Sequence, residues 1–243
     1  VPNYDTRIVE LYDVDNGDGP DHDFYRQLAD TLNARTVIDL GCGTGQLTVT
    51  LATPGREVVG VDPSSNMINY ARARPGAERV QWITGDSRDL PPGRHDLALM
   101  TGNVAQHILD PDWPRTLSDL HRTLRPGGTV AFETRNPAGR AWQRWVTPEA
   151  EATTRSTPFG LLREWLELEI GDAGVITMIA HNVFEETGEH VVERESLVFR
   201  DRATVERQLA AAGFAVEATW AGWDRSPLRS DSPLMIFQAT SRG

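Results

Sequence analysis

The sequence predicts an α/β protein, a doubly wound parallel sheet flanked by helices and interrupted by a small antiparallel β insertion. Three observations predict it. Thr36 to Leu40 is a short, β-branched apolar run, followed at once by glycines at 41, 43 and 45 and then by apolar groups at 47, 51 and 52 in helical spacing. Four more short apolar runs alternate with helical stretches as far as Thr134. Beyond them, three longer runs alternate apolar with polar residues, the pattern of antiparallel strands.

The chain of 243 residues fits one large domain, or one domain with a sizeable insertion. It carries 24 Lys+Arg against 35 Asp+Glu, a formal charge of −11. That balance argues against nucleic acid as a partner, because such proteins show a basic patch. The arginines at 72, 74, 79 and 88 read instead as a solvated helix face. The single cysteine makes no intramolecular disulfide, and six scattered histidines give no zinc spacing, so no metal is expected. With no run of about 18 apolar residues and a polar, acidic amino end, neither a membrane span nor a signal peptide is expected, and the expected location is cytoplasmic.

Residues 1–35 read as two helices around an acidic loop, with stripes at Tyr4, Ile8, Leu11, Tyr12 and at Phe24, Leu28, Leu32. The loop Asp13–Gly19 has the look of a calcium loop, but position five is Gly17, position six Asp18 and position twelve Phe24, so a solvated turn is expected. The first strand, 36–40, leads through the glycines to a helix that Pro54-Gly55 stops. A second strand, 57–61, ends at Asp62, and Pro63 with Ser64 and Ser65 starts a helix bearing Met67, Ile68 and Ala71 on one face. The third strand, 79–84, runs into Gly85-Asp86-Ser87, and the fourth, 95–101, into Gly102-Asn103. A helix over 113–124, closed by Arg125-Pro126-Gly127-Gly128, precedes a fifth strand at 129–134. An irregular stretch, 136–158, holds Trp142 and Trp145. Strands are then expected at 162–170, 175–184 and 191–199, joined at Gly171-Asp172-Ala173-Gly174 and Glu186-Thr187-Gly188-Glu189. A helix over 203–212 capped by Gly213 and two strands, 214–220 and 234–239, complete the chain.

In such sheets ligands bind beyond the carboxyl ends of the strands, where Asp39 to Gly45, Asp62, Asp86 and Asn103 all lie. A dinucleotide fingerprint places its third glycine five residues after the first, whereas here it comes one residue early. The segments Val37-Ile38-Asp39-Leu40-Gly41-Cys42-Gly43-Thr44-Gly45, Gly60-Val61-Asp62-Pro63-Ser64, Gly85-Asp86-Ser87 and Leu124-Arg125-Pro126-Gly127-Gly128 resemble successive motifs of class I S-adenosylmethionine (SAM)-dependent methyltransferases. The Tyr4 … Tyr12-Asp13 beginning, the antiparallel insert and the Trp223-Asp224 … Ser226-Pro227-Leu228 loop look like bacterial small-molecule and natural-product enzymes of that family, including those acting on amino-sugars. The resemblance implies a mostly parallel seven-stranded sheet with an antiparallel last strand. It also implies an N-terminal helical lid over 1–35, a SAM-binding core over 36–135, an acceptor-side insertion over 136–202 and a core-completing segment over 203–243.

SAM is then the expected cofactor and a small molecule the expected methyl acceptor, with the protein a monomer or homodimer. Glycines 41 and 43, with Cys42 between them as a small residue fitting a crowded turn, bring the backbone to the methionine arm. Asp39 either holds that turn or meets the ammonium through water. Asp62 is placed for the ribose hydroxyls, with Pro63 and Met67 beside the adenine, Asp86 for its amino group, and the Ser87 amide for a ring nitrogen. Each acid has the alternative of capping a turn or helix. Asn103 belongs to the same rim.

His107, just past the fourth strand, is either a general base or a packing residue. Tyr4 and Tyr12 either close over the cofactor or belong to the core; the similarity favours the lid, with Tyr4 at the reacting centre. His181 is a weaker candidate for the pocket. Enzymes of this kind that methylate exocyclic amines of nucleic-acid bases carry Asn/Asp-Pro-Pro-aromatic after the fourth strand, and this chain has Thr101-Gly102-Asn103-Val104 there. The alternatives are a nicotinamide-dependent oxidoreductase and a non-catalytic SAM-binding protein.

Overall fold

The computed structural model describes residues 3–171 and 174–242. Helices α1 (Thr6–Asp15) and α2 (Pro20–Thr31) lead into β1 (Thr36–Leu40), α3 (Thr48–Leu51), β2 (Glu57–Asp62), α4 (Ser65–Arg72), β3 (Val80–Thr84) and β4 (His95–Met100). Next come α5 (Val104–His107), α6 (Asp112–Thr123) and β5 (Leu124–Arg135). Four strands follow: β6 (Thr153–Thr157), β7 (Gly160–Ile170), β8 (Val175–Phe184) and β9 (Glu189–Val198). Then α7 (Arg202–Ala211), β10 (Phe214–Trp220) and β11 (Leu234–Ser241) complete the fold.

Seven strands form one sheet in the order β10-β11-β5-β4-β1-β2-β3, and β11 alone runs against its neighbours. The central strands are apolar on both faces because helices cover both. Ile38, Val59, Met100 and Phe132 point toward α6 and α7, where Trp113, Leu117 and Leu120 repeat at helical spacing. Val37, Val58, Leu97 and Ala131 point the other way, onto Phe24, Leu28 and Leu51 of α2 and α3. The switch points where crossovers change side leave the rim of β1, β2 and β4 open to a ligand.

The insertion is a separate antiparallel sheet, β6-β7-β8-β9. It has four strands where three were expected. Thr153-Thr154-Arg155-Ser156-Thr157 has no apolar face to betray it, and it pairs only at the edge, with β7. Asp172 and Ala173 of the expected Gly171–Gly174 joint lie outside the described residues. The helix after the glycine turn is shorter than expected. Thr48, Val49 and Thr50 are β-branched, the hydroxyl of Thr50 donates back to the Leu47 carbonyl, and only Thr48–Leu51 is helical. Pro63 lies outside α4 rather than in its first turn, because Ser64 is the N-cap and its hydroxyl accepts from the Met67 amide.

Helix α1 also runs further than expected, to Asp15, so Asp13 is helical rather than part of a solvated turn. The helix spans the two sheets' territories. Leu11 packs with Leu162 and Phe184 of the insertion, the Arg7 guanidinium lies 3.8 Å over the Phe184 ring, and Arg155 of β6 holds Asp15 through two bonds of 2.8 Å. Among the described residues no helix is long and apolar enough to cross a membrane.

Phe132 is fully buried, stacked on Phe237 at 5.4 Å and edge-on to Trp113 at 5.6 Å. Phe132→Ala is expected to destabilise the fold by about 3–5 kcal/mol. Urea unfolding would show this as a lower midpoint at unchanged slope.

Candidate active site

At the carboxyl end of β1 the chain turns through three glycines with positive φ. Two of them show why no other residue serves. A Cβ on Gly41 would come within 2.4 Å of the Val104 side chain, so the start of α5 packs directly on this turn. At Gly43, φ is +52° and a Cβ would meet nothing within 4 Å; here the backbone faces open space. The Cys42 thiol points the other way. It is buried near Gly60, and burial pushes its pKa well up, so the turn offers backbone and not sulfur.

Asp62, at the end of β2, ties this turn to the next helix. One carboxylate oxygen accepts the Gly43 amide at 2.9 Å and the other accepts the Ser64 amide at 2.8 Å. The side chain is only 8% exposed. Burial raises its pKa, while the two amide bonds pull the other way. Each oxygen retains capacity for one further donor. Met67 is buried one turn into α4, and Pro63 is exposed.

Two buried acceptors flank the glycine turn without a partner among the described residues. Asp39 receives the Thr48 hydroxyl at 2.6 Å on one oxygen, and its other oxygen is unpaired. Desolvation raises this carboxyl to about 6. Asn103, in the left-handed region at φ 63°, has an unpaired amide oxygen. Its backbone amide donates to Glu133 at 2.5 Å, and the Tyr25 hydroxyl donates to the same carboxylate. Glu133 is raised to about 7 by burial, against the pull of those two donors. Orphaned buried acceptors are rare enough to point to a missing donor.

Above the rim, residues far apart in sequence meet on one carboxylate. The Tyr4 hydroxyl donates to Glu195 of β9 at 2.5 Å, and Nδ1 of His107 lies 3.3 Å from the other oxygen of Glu195. Burial lowers the His107 pKa, Glu195 opposes that, and the Arg135 charge adds to it. Burial and then Glu195 raise Tyr4, so its phenol stays protonated. Tyr12 is 37% exposed, and burial together with Glu195, Asp62 and Glu133 raises its pKa.

The amino-terminal segment is strapped across this rim. Asn3 accepts from Ser64, Ser65 and the Asn66 amide, and Asn66 donates to the Tyr4 carbonyl at 2.6 Å. Asp13 accepts the Thr44 hydroxyl at 2.6 Å and pairs with Arg74.

Asp86 and Ser87 both have partners within the protein. Asp86 caps the turn at Ser87–Asp89, and the Arg88 side chain and amide both engage its carboxylate, holding it below the usual range. A ligand must share that carboxylate with the arginine. Ser87 turns its hydroxyl inward to Asp119 at 2.8 Å and Thr116 at 3.2 Å, leaving only its backbone for the rim. His181 faces away from the pocket. Strand alternation puts Ala180 and Met178, opposite Glu193 and Glu195, on the inner face, and His181 stacks on Trp165 at 4.5 Å on the outer one.

Sequence reading missed Glu133, Glu195 and the tie through Asp13. A lone acid in Val130-Ala131-Phe132-Glu133 was a visible signal. Glu195 had none, since it sits among Glu189 and Glu193 in a strand that looks solvated.

Residues 37–128 match the family model described as a methyltransferase domain. The malonyl-[acyl-carrier protein] O-methyltransferase of Pectobacterium atrosepticum is 31% identical over 196 residues, 79% of this chain and 67% of that one. The chain belongs to the SAM-dependent methyltransferases. It spans less than half the length of several other curated relatives that it matches. Among solved structures, the CcbJ methyltransferase of Streptomyces caelestis shares the fold at TM-score 0.79 and 23% identity, covering 99% of this chain and 100% of that one. The sugar N-methyltransferase KedS8 of Streptoalloteichus shares it at 0.73 and 20%, with 100% and 96% covered. Membership of this family sets aside the nicotinamide and non-catalytic alternatives. The residues present fit SAM: open space before Gly43 admits a chain against the backbone, and the unpaired oxygens of Asp39 and Asn103 suit a cationic amine.

The raised Glu133 sets a pH dependence of stability. Its folded pKa of about 7 exceeds the ordinary glutamate value of 4.5, so between these values the folded state holds the extra proton and stability falls as pH rises. Glu133→Gln keeps a hydrogen-bonding amide and removes the charge. Its stability relative to the parent is expected to grow from pH 4.5 to 7 and then level off, by on the order of 3 kcal/mol. Denaturant melts at pH 5 and pH 8 would check it; an equal difference at both would contradict the buried-charge account.

Proposed function

We propose that the protein transfers the methyl group of SAM to an oxygen or nitrogen of a small-molecule acceptor, with a natural product or sugar as the favoured class. The observation that carries this reading is the meeting of Tyr4, Glu195 and His107 on the same rim as the glycine turn and Asp62. The sugar and natural-product class rests on likeness of fold to proteins such as KedS8, and on aromatic groups beside the rim. Trp142 and Trp145 both pack on Phe199, at 4.7 and 6.1 Å, a wall suited to a flat or apolar face.

In this reading the backbone at Gly41, Cys42 and Gly43 lies along the methionine arm, and the free oxygen of Asp39, with that of Asn103, takes the ammonium. Asp62 offers its remaining lone pairs to the ribose hydroxyls. Met67 and Pro63 border the adenine, with Asp86 and the Ser87 backbone at its edge. Tyr12 covers the cofactor from α1. SAM supplies, when bound, a methyl group already activated by its sulfonium.

The chain's own task is to position the acceptor, exclude water and receive a proton. His107 is the base. Its lowered pKa keeps the imidazole neutral near pH 7, and a carboxylate facing Nδ1 favours the proton there, leaving Nε2 to accept one from the acceptor. Tyr4 keeps Glu195 in place and contributes its hydroxyl to the reacting centre.

Asp62→Ala is expected to weaken SAM binding by about 1.5–3 kcal/mol, a rise in Kd of roughly ten- to 150-fold. Calorimetry giving an unchanged Kd would refute the ribose role. For the base, Glu195→Gln removes the charge that raises the imidazole pKa, so the His107 midpoint should move further below its parent value. Proton NMR titration of the ring signal reads this directly, and a midpoint that stays put or rises would separate His107 from Glu195.

A further inference from the structure

The last residue of β5 carries a cation that the described residues leave unanswered. Arg135 is half-buried, its backbone in register with Leu234 of β11. Its guanidinium lies over Trp145, 4.8 Å from the ring centre, and among the described residues it forms no hydrogen bond and no ion pair. Other partly buried arginines are engaged. Arg200 donates to the Ala105 and Ile108 carbonyls and to Asp110, and Arg155 holds Asp15 and Glu164. Glu133 is the nearest acid to act on Arg135, but its oxygens already serve Tyr25 and Asn103. On the other side, the Arg135 charge reaches His107.

A half-buried guanidinium lying over an indole keeps an edge of paired N–H donors, the shape that grips an oxyanion at two points. Leaving such a charge partly desolvated and unpaired is costly unless a ligand completes it. The place of Arg135 separates it from the cofactor's carboxylate: it ends β5, two strands from β1 in the order β5-β4-β1, on the side of the aromatic wall. We infer that Arg135 binds an anionic group of the acceptor, a carboxylate or phosphate distinct from the atom that is methylated, and so selects acceptors that carry one. This rests on the reading that His107 marks the reacting centre. The anion is a handle and not the nucleophile, because donors on both its oxygens withdraw the lone pairs that methylation needs.

The test uses three matched probes, benzoate, phenyl phosphate and benzamide, titrated by saturation-transfer NMR into the full chain with and without saturating S-adenosylhomocysteine. At least one anion should bind the parent tenfold or more tightly than benzamide. Arg135→Gln should lose that preference tenfold or more, Arg135→Lys should keep part of it, and both variants should bind S-adenosylhomocysteine as the parent does. The preferred anion tells carboxylate from phosphate. Anions bound no better than benzamide, or a preference that survives in Arg135→Gln, would overturn the inference. Loss of S-adenosylhomocysteine binding in both variants would also overturn it, since Arg135 would then belong to the cofactor. A parent protein indifferent to S-adenosylhomocysteine would instead sink the cofactor-site reading, leaving the anion result to stand by itself.

Discussion

The carboxylate of Asp62 is the joint on which the cofactor rim depends. Two backbone amides converge on it, one from the glycine turn after β1 and one from the start of α4, and each bond is close to the ideal length. Without it, the turn would keep its Gly41 and Cys42 amides on the Val61 carbonyl, but Gly43 would lose its tie to the start of α4. With it, the open backbone at Gly43 is held at a fixed distance from α4, and both keep their place relative to Asp39 below. Burial makes the arrangement unforgiving, because a desolvated carboxylate that loses a donor pays more than an exposed one.

A second assembly, where α1 meets the insertion, combines charges with apolar packing. Helix α1 touches the insertion through Leu11 and Phe184, but Asp13, Asp15 and Arg7 supply most of its specific contacts. Such contacts fix direction well and hold weakly when exposed. Tyr4 and Tyr12 are thus brought to the rim by a segment whose attachment differs in kind from that of the core.

How legible this was in the sequence follows from the range of the interactions. The strands of the large sheet could be read because each is an apolar run bounded by turn residues, and the glycine turn with Asp62 could be read because its members lie on adjacent strands joined by one crossover. The rim network was not readable. Tyr4 and Glu195 are 191 positions apart, and nothing local marks Glu195 as anything but one of several acids on a polar strand. The edge strand β6 escaped for the converse reason: its pairing is supplied by β7 and not by any pattern of its own. The face of His181, expected to be a bystander more often than a pocket residue, is fixed only once the register of β8 against β9 is known, and one residue reverses it.

The carboxylate that Tyr4 and His107 share is carried by β9, in the insertion, while the glycine turn and Asp62 belong to the large sheet and its crossovers. The acid that meets Tyr4 and His107 therefore comes from a different sheet from the one that carries the glycine turn. Replacing the appended sheet by another of similar outline would take the shared acid away from Tyr4 and His107 and leave the bonds from Gly43 and Ser64 to Asp62 as they are.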